Sequence, residues 1–268
     1  MSYQETLYVD HNAGFFSCCT ICLELILDYF NQNKTFPKHV DTTKSFYWYK
    51  TQEELENNVD IRSKYFIEDN AKQIEYIKDV YTTNEDTEQQ FTDFDKLNYQ
   101  EIRPFIEKYF SPTYEINLII EQMVRKYEIQ YNNTCVLFYR GNDKAKEMTL
   151  PKYESLLEKG KELEQKHPSM QFLVQSDEAE FICAMRDAFS TDDRDSNTII
   201  FQDEIRYIGR NAQTTVDHIF RDQNPTASKY FLAIMYIMSR CKYVVCGTGN
   251  CSMWITFFRG NCDNVIQV

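Results

Sequence analysis

An α/β fold built from two Rossmann-like halves facing a cleft is predicted by three observations. From Thr134 onward, short apolar runs alternate with amphipathic helical stretches, the pattern of βαβ units on a parallel sheet. The chain also opens on a strand, a loop and a helix. Glycines and small polar residues follow directly after apolar runs, the place where parallel sheets bind ligands. The halves are expected at 1–131 and 132–268, the first reduced and irregular.

Each element has a local reason. Thr6-Leu7-Tyr8-Val9 is a short apolar strand, and Asp10-His11-Asn12-Ala13-Gly14 is a loop. A helix is predicted over about 17–29, with Cys18, Cys22, Leu25, Ile26 and Tyr29 at helical spacing. The stretch 53–101 carries fourteen acids against five bases and reads as short helical or irregular pieces. Helices follow at 103–109 and 114–127; Ser111-Pro112 breaks between them, with Pro112 placed to start the second. The second half alternates: strand 134–139, helix 152–167 behind Pro151, strand 171–175, helix 178–189, strand 198–201, helix 227–240, strand 242–246, helix 251–258. In the helix at 178–189, Phe181, Ile182, Met185 and Phe189 share one face.

Composition narrows the function. With 43% hydrophobic and 26% charged residues among 268, the chain can bury a core and is not a disordered one. A net charge of −12 argues against a protein that wraps nucleic acid, which needs cations to displace counterions. Most of that excess lies in 53–101, so the rest is near neutral. Nine cysteines, an odd number with several inside apolar runs, predict free thiols in a reducing compartment, and hence a cytoplasmic protein. Cys18-Cys19-x-x-Cys22 lacks the second ligand pair of a structural zinc site, so it reads as helix packing; no metal site is expected. The first ten residues hold Glu5 and Asp10 but no Lys or Arg, unlike a secretory signal. The longest apolar run, 230–238, is too short to span a bilayer, so no membrane span is expected.

Chemistry is expected in the loops after the strands, at 140–149, 176–178, 203–225 and 247–252. Arg140, directly after a strand, offers a forked donor suited to a diphosphate, with Lys144 adding charge; the alternative is a surface turn with an Arg–Asp ion pair. Gly247-Thr248-Gly249-Asn250-Cys251-Ser252 joins a Val-rich strand to a helix, where free N–H groups and the Thr248 and Ser252 hydroxyls form an anion site. Asp177 stands where an acid can accept from a base or ribose, or else cap the next helix. Asp192-Asp193-Arg194-Asp195 resembles a metal-binding DxD but precedes a strand, which favours a solvated turn. His11 and His218 are cleft candidates by position.

Together these segments resemble the fucosyltransferase-like glycosyltransferases of the GT-B fold, the nodulation and core α-1,6-fucosyltransferases and, more distantly, the protein O-fucosyltransferases. Phe138-Tyr139-Arg140-Gly141-Asn142-Asp143-Lys144 is similar to that family's His-x-Arg-Arg and Thr-Asp-Lys stretch, with Arg140 on the first arginine, which holds the donor diphosphate. Ser176-Asp177-Glu178 resembles its Thr-Asp-Asp, whose first acid contacts guanine. Residues 245–252 look like its last strand–loop–helix, and 11–17, with Gly14, like the first loop facing the donor. Two positions depart: Phe138 replaces the histidine that helps seat guanine, and Gly141 the second arginine.

The resemblance implies an inverting, metal-independent transfer from a nucleotide sugar, GDP-fucose in that family, to a glycan or other hydroxyl acceptor, with no cofactor. It implies Arg140, Lys144, Asp177, His218, Thr248, Gly249, Asn250, Ser252 and Gly14 around the donor. Glu147 is the expected base, with Asp143 and His11 behind it. The competing reading is a non-catalytic nucleotide-sugar binding or interaction protein.

Overall fold

The computed structural model describes residues 6–68, 93–189 and 197–268. In the first half, β1 (Thr6–Tyr8), α1 (Phe15–Asn33) and β2 (His39–Asp41) make one βαβ unit, with β2 parallel to β1 and Val40 opposite Leu7. The Rossmann-like pattern goes no further there. It gives way to α2 (Gln52–Glu56), β3 (Phe66–Ile67), α3 (Tyr99–Tyr109), β4 (Ser111–Pro112) and α4 (Tyr114–Lys126), and β4 runs antiparallel to β3. The expected break at Ser111-Pro112 is thus itself a strand.

The second half carries β5 (Thr134–Tyr139), α5 (Tyr153–Lys166), β6 (Gln171–Ser176), α6 (Ala179–Phe189), β7 (Thr198–Ile199), α7 (Val216–Ile219), α8 (Asn224–Arg240), β8 (Tyr243–Cys246), α9 (Asn250–Arg259) and β9 (Val265–Gln267). Its strands form one parallel sheet in the order β7-β6-β5-β8-β9. The chain enters at the centre, moves to one edge, and crosses back through α8 to build the other. The loops after β5 and β8 therefore diverge and open a crevice at the carboxyl ends of the strands.

Strand β5 is buried along its whole length, as a central parallel strand covered on both faces must be. Its side chains alternate. Tyr139 stacks on Phe181 of α6 at 5.0 Å and meets Tyr153 of α5 edge-on. Phe138 faces the opposite way, toward α8. Helix α8 is buried almost all round from Leu232 to Ser239, where it packs against α4 and α9. Around Trp254 of α9 gather Phe16, Phe110, Phe257 and Phe258, joining the two halves of the chain in one hydrophobic core.

Helix α1 is longer than the periodicity suggests. Its buried face runs through Phe16, Cys19, Leu23, Ile26 and Phe30, and Leu25 and Tyr29 lie on a half-buried flank. All nine cysteines are free. Cys18, Cys19 and Cys22 are buried in the core, and burial pushes the Cys22 thiol up to about 12, the behaviour of a packed apolar group. Strands β2 and β9 escape sequence reading because they are three residues long with polar ends, and only Thr198 and Ile199 of the 198–201 run pair. Among the described residues no helix is long and apolar enough to cross a membrane. The Asp192–Asp195 run, at 192–195, and much of the acidic stretch, at 69–92, lie outside the described residues.

One turn apart on α1, Glu24 and Asp28 share a half-buried flank. Burial first, and the Asp28 charge second, push the Glu24 carboxyl up to about 7. The folded state therefore holds this proton more tightly than the unfolded chain, where a glutamate titrates near ~4.3. Its contribution is complete below that value and is lost as pH rises through about 7. Glu24→Gln is expected to flatten this slope and to raise stability at pH 8 by about 1–2 kcal/mol after solvent screening. Urea denaturation of both proteins at pH 5 and pH 8 checks it; parallel pH dependences would show Glu24 to be uninvolved.

Candidate active site

The crevice holds a cavity of about 310 Å³. One wall is the loop after β5. At Gly141 an added Cβ would lie 2.3 Å from the Glu178 carboxyl carbon, so only glycine lets this loop approach the loop after β6. That approach brings the Gly141 N–H to Asp177 Oδ1 at 2.8 Å and the Asn142 N–H to Glu178 Oε1 at 2.8 Å. Asn142 sits in the left-handed region at φ 49°, and its amide donates to the Asp177 carbonyl at 3.1 Å. Tyr153 donates to the other oxygen of Glu178. With this lattice fixed, Arg140 is gripped by Asp177 through Nη1 and by Asp143 through Nη2 at 3.1 Å. Burial opposes its charge, but Asp177 and Asp143 outweigh burial and raise its pKa. Both readings of the Arg140 loop meet here: the ion pair exists, and it aims the guanidinium at the cavity wall.

The opposite wall is made of helix starts. Gly249, at φ 124°, turns the chain from β8 into α9, and Gly14 does the same for α1. Neither start is capped by its own N-cap residue or carries an acid in its first turn, so two helix N-termini line the cavity; at α1 the Tyr49 hydroxyl already accepts from the Phe15 N–H at 2.6 Å. Asn250 is fixed by Thr20 Oγ1 at 2.9 Å, which in turn accepts from the Trp254 indole at 2.9 Å. Thr248 rests against Met148 Sδ at 3.1 Å, and Ser252 is buried.

Of the residues singled out from sequence, Arg140, Asp143, Lys144, Glu147, Asp177, Thr248, Gly249, Asn250, Ser252 and Gly14 are brought together around this one cavity. Lys144 pairs with Glu147 at the rim. Asp177, only 6% exposed, spends its oxygens on Arg140 and the Gly141 N–H. Asp143 is pushed up by burial, against the pull of Arg140. Two residues stand apart. His11 lies behind the wall, its Nε2 at 2.9 Å from the hydroxyl of Ser17, which does line the cavity; burial pulls the His11 pKa down. His218 lies on α7 against Trp48, ring centres 6.0 Å apart.

Sequence reading missed a second, partly buried cluster. Arg206 and Asp217 line the cavity and pair at 2.8 Å, while Arg206 also donates to Asn224 Oδ1 at 2.5 Å. Tyr49 donates to Asp217 at 2.6 Å and accepts from the Phe15 N–H at 2.6 Å, tying this cluster to the start of α1. Nothing in the 203–225 loop marks these residues by motif. Gln175 was missed as well, though it is a polar residue that follows the apolar run Phe172-Leu173-Val174.

No protein-family model matches the chain, and no curated protein resembles it in sequence. The likeness lies in the fold. NodZ α-1,6-fucosyltransferase co-crystallised with GDP superposes with a TM-score of 0.56 at 12% identity, covering 95% of this chain and 91% of that one. The same enzyme soaked with GDP-fucose gives 0.53 at 10% identity, covering 94% and 92%. Fucosyltransferase NodZ from Bradyrhizobium gives 0.53 at 12%, covering 95% and 91%. The chain has the GT-B-like α/β fold of these fucosyltransferases.

Replacing Gly141 tests the clamp. Gly141→Ala is expected to destabilise the protein by about 1–3 kcal/mol, because the Glu178 carboxylate it would displace is buried and held by Asn142 and Tyr153. Denaturant midpoints measure this, and an unchanged midpoint would show that the two loops part freely.

Proposed function

We propose that the protein is a glycosyltransferase that moves a sugar from a nucleoside diphosphate sugar, GDP-fucose first among them, to a hydroxyl of a glycan. The observation that carries this reading is the convergence of Arg140 with two helix starts on one cavity. Protein acceptors take two of the five guanidinium donors of Arg140, leaving the others for a ligand. Fixed donors of this kind suit a diphosphate, whose charge grows as it leaves. The NodZ structures with GDP and GDP-fucose support the choice of donor.

In the proposed reaction the bond from the sugar's anomeric carbon to the diphosphate breaks, and the nucleoside diphosphate leaves with the electron pair. Arg140, Lys144 and the helix starts stabilise that charge, a task for which no divalent cation is then required. The acceptor oxygen attacks from the opposite face and inverts the centre, and a carboxylate takes its proton. Glu147 is the proposed base. It stands at the exposed rim where an acceptor enters, whereas Asp143 is tied to Arg140 beside the leaving group. A donor phosphate that draws Lys144 to itself releases Glu147 for this work.

Turnover of GDP-fucose onto glycan acceptors, followed by release of GDP, tests the reading. Arg140→Lys keeps the charge that Asp177 and Asp143 require but loses the fork, and is expected to cut turnover by about 10²–10³-fold. Glu147→Gln is expected to lose turnover and keep donor affinity; unchanged turnover would reject it as the base. EDTA is expected to leave the rate intact. Binding without any turnover, across acceptors, would instead identify a nucleotide-sugar binding module.

A further inference from the structure

Away from Arg140, the cavity changes character. Phe138, Ile205, Ala227, Phe231 and Ile234 line it, giving it an apolar part between β5 and α8. One polar side chain interrupts it. Gln175, on β6, is directly opposite Phe138 in the parallel ladder, so the two side chains project on the same side of the sheet. Gln175 is 5% exposed, and its Oε1 is buried with no hydrogen-bond partner among the described residues.

An orphaned amide oxygen in an apolar slot is costly to the free protein, since that atom has left water and gained no partner. The nearby polar groups do not relieve it. Ser176 Oγ accepts from the Glu178 N–H at 3.0 Å, and Glu204 is engaged by Lys126 at 2.8 Å and Tyr127 at 2.7 Å. The slot is therefore shaped for a flat apolar body with a polar edge, and the anion-binding end lies in the same cavity. A sugar would need a wall dense in hydrogen-bonding groups, which this end lacks.

We infer that Gln175 is a specificity-determining residue that reads the hydrogen-bonding edge of the donor's heterocyclic base, while Phe138, Phe231 and Ile205 hold its faces. The inference rests on the nucleotide-sugar reading above. It separates two jobs within one cavity: Arg140 and the helix starts hold the phosphates, and Gln175 selects the base. Substrate choice is thereby set on β6, by a side chain that the phosphate-binding loops never touch.

Calorimetric titration of wild type, Gln175→Leu and Gln175→Met with GDP, ADP, UDP and inorganic pyrophosphate tests it. Both variants are expected to bind the preferred nucleotide about tenfold more weakly and to flatten the preference among bases, with pyrophosphate affinity unchanged. The ligand-free variants are expected to melt about 2–4 °C higher, because the orphaned amide is gone. Wild-type affinity and base preference in the variants would overturn the role of Gln175 and leave the donor reading standing. Equal loss of pyrophosphate binding would show a merely structural role. Failure of wild type to bind any of the nucleotides would overturn the donor reading itself, and this inference with it.

Discussion

The grip of Asp177 on Arg140 is the contact on which the rest of the site depends. Asp177 lies beyond β6 and Arg140 beyond β5, so the pair locks together two loops that leave neighbouring strands. A buried ion pair is stable only when its remaining groups are satisfied. Here Asp177 has the Gly141 N–H, Arg140 has Asp143, and Glu178 alongside has Asn142 and Tyr153. Gly141 makes that closeness possible by having no side chain. A second arginine at this position, as the resembling family carries, would have to displace Glu178. The glycine and the buried Glu178 therefore belong to one solution, a clamp that fixes a single arginine very firmly.

Four costly features lie at or beside the cavity. Asn142 holds a left-handed backbone, Gly249 a conformation suited to glycine, the start of α9 has no capping side chain, and the Gln175 amide oxygen lacks a partner among the described residues. Each costs stability in the free protein. The compensation lies behind the site, where α8 buries Leu232 to Ser239 and α9 buries Ser252 to Phe257, with the aromatic cluster around Trp254 among them. Helix α9 thus offers its N-terminus to the cavity and its body to the core.

The sequence discloses the second half well because parallel strands buried on both faces leave apolar runs that few other structures leave. Thr134–Tyr139 and Tyr243–Cys246 are of this kind, and the loops following them hold most of the site. The first half is less legible. Its strands are two or three residues long, and α1 draws its buried face from cysteines and aromatics rather than a clean aliphatic stripe. The Arg206–Asp217–Tyr49 cluster is illegible for a different reason. Its members come from separate parts of the chain and meet only through folding, with no fixed spacing to betray them. Gln175 carries a fainter signal, a polar residue at an apolar strand's end, whose meaning depends on knowing that Phe138 is its neighbour.

For an acidic chain to bind a diphosphate, as proposed, its own acids must be occupied. Five acidic side chains line the cavity against three basic ones, which on charge alone would repel the ligand. Yet each acid already has a partner: Asp177 and Asp143 on Arg140, Glu147 on Lys144, Glu204 on Lys126 and Tyr127, Asp217 on Arg206 and Tyr49. Their negative charge is spent on orienting cations, and the backbone dipoles of α1 and α9 add attraction that no residue count records. The Lys144–Glu147 pair sits at the rim, with Glu147 44% exposed. It is the pair an incoming phosphate can part most cheaply, because both partners have water or ligand to turn to. Breaking the buried pairs would leave uncompensated charge, so the site yields at its edge and holds at its centre.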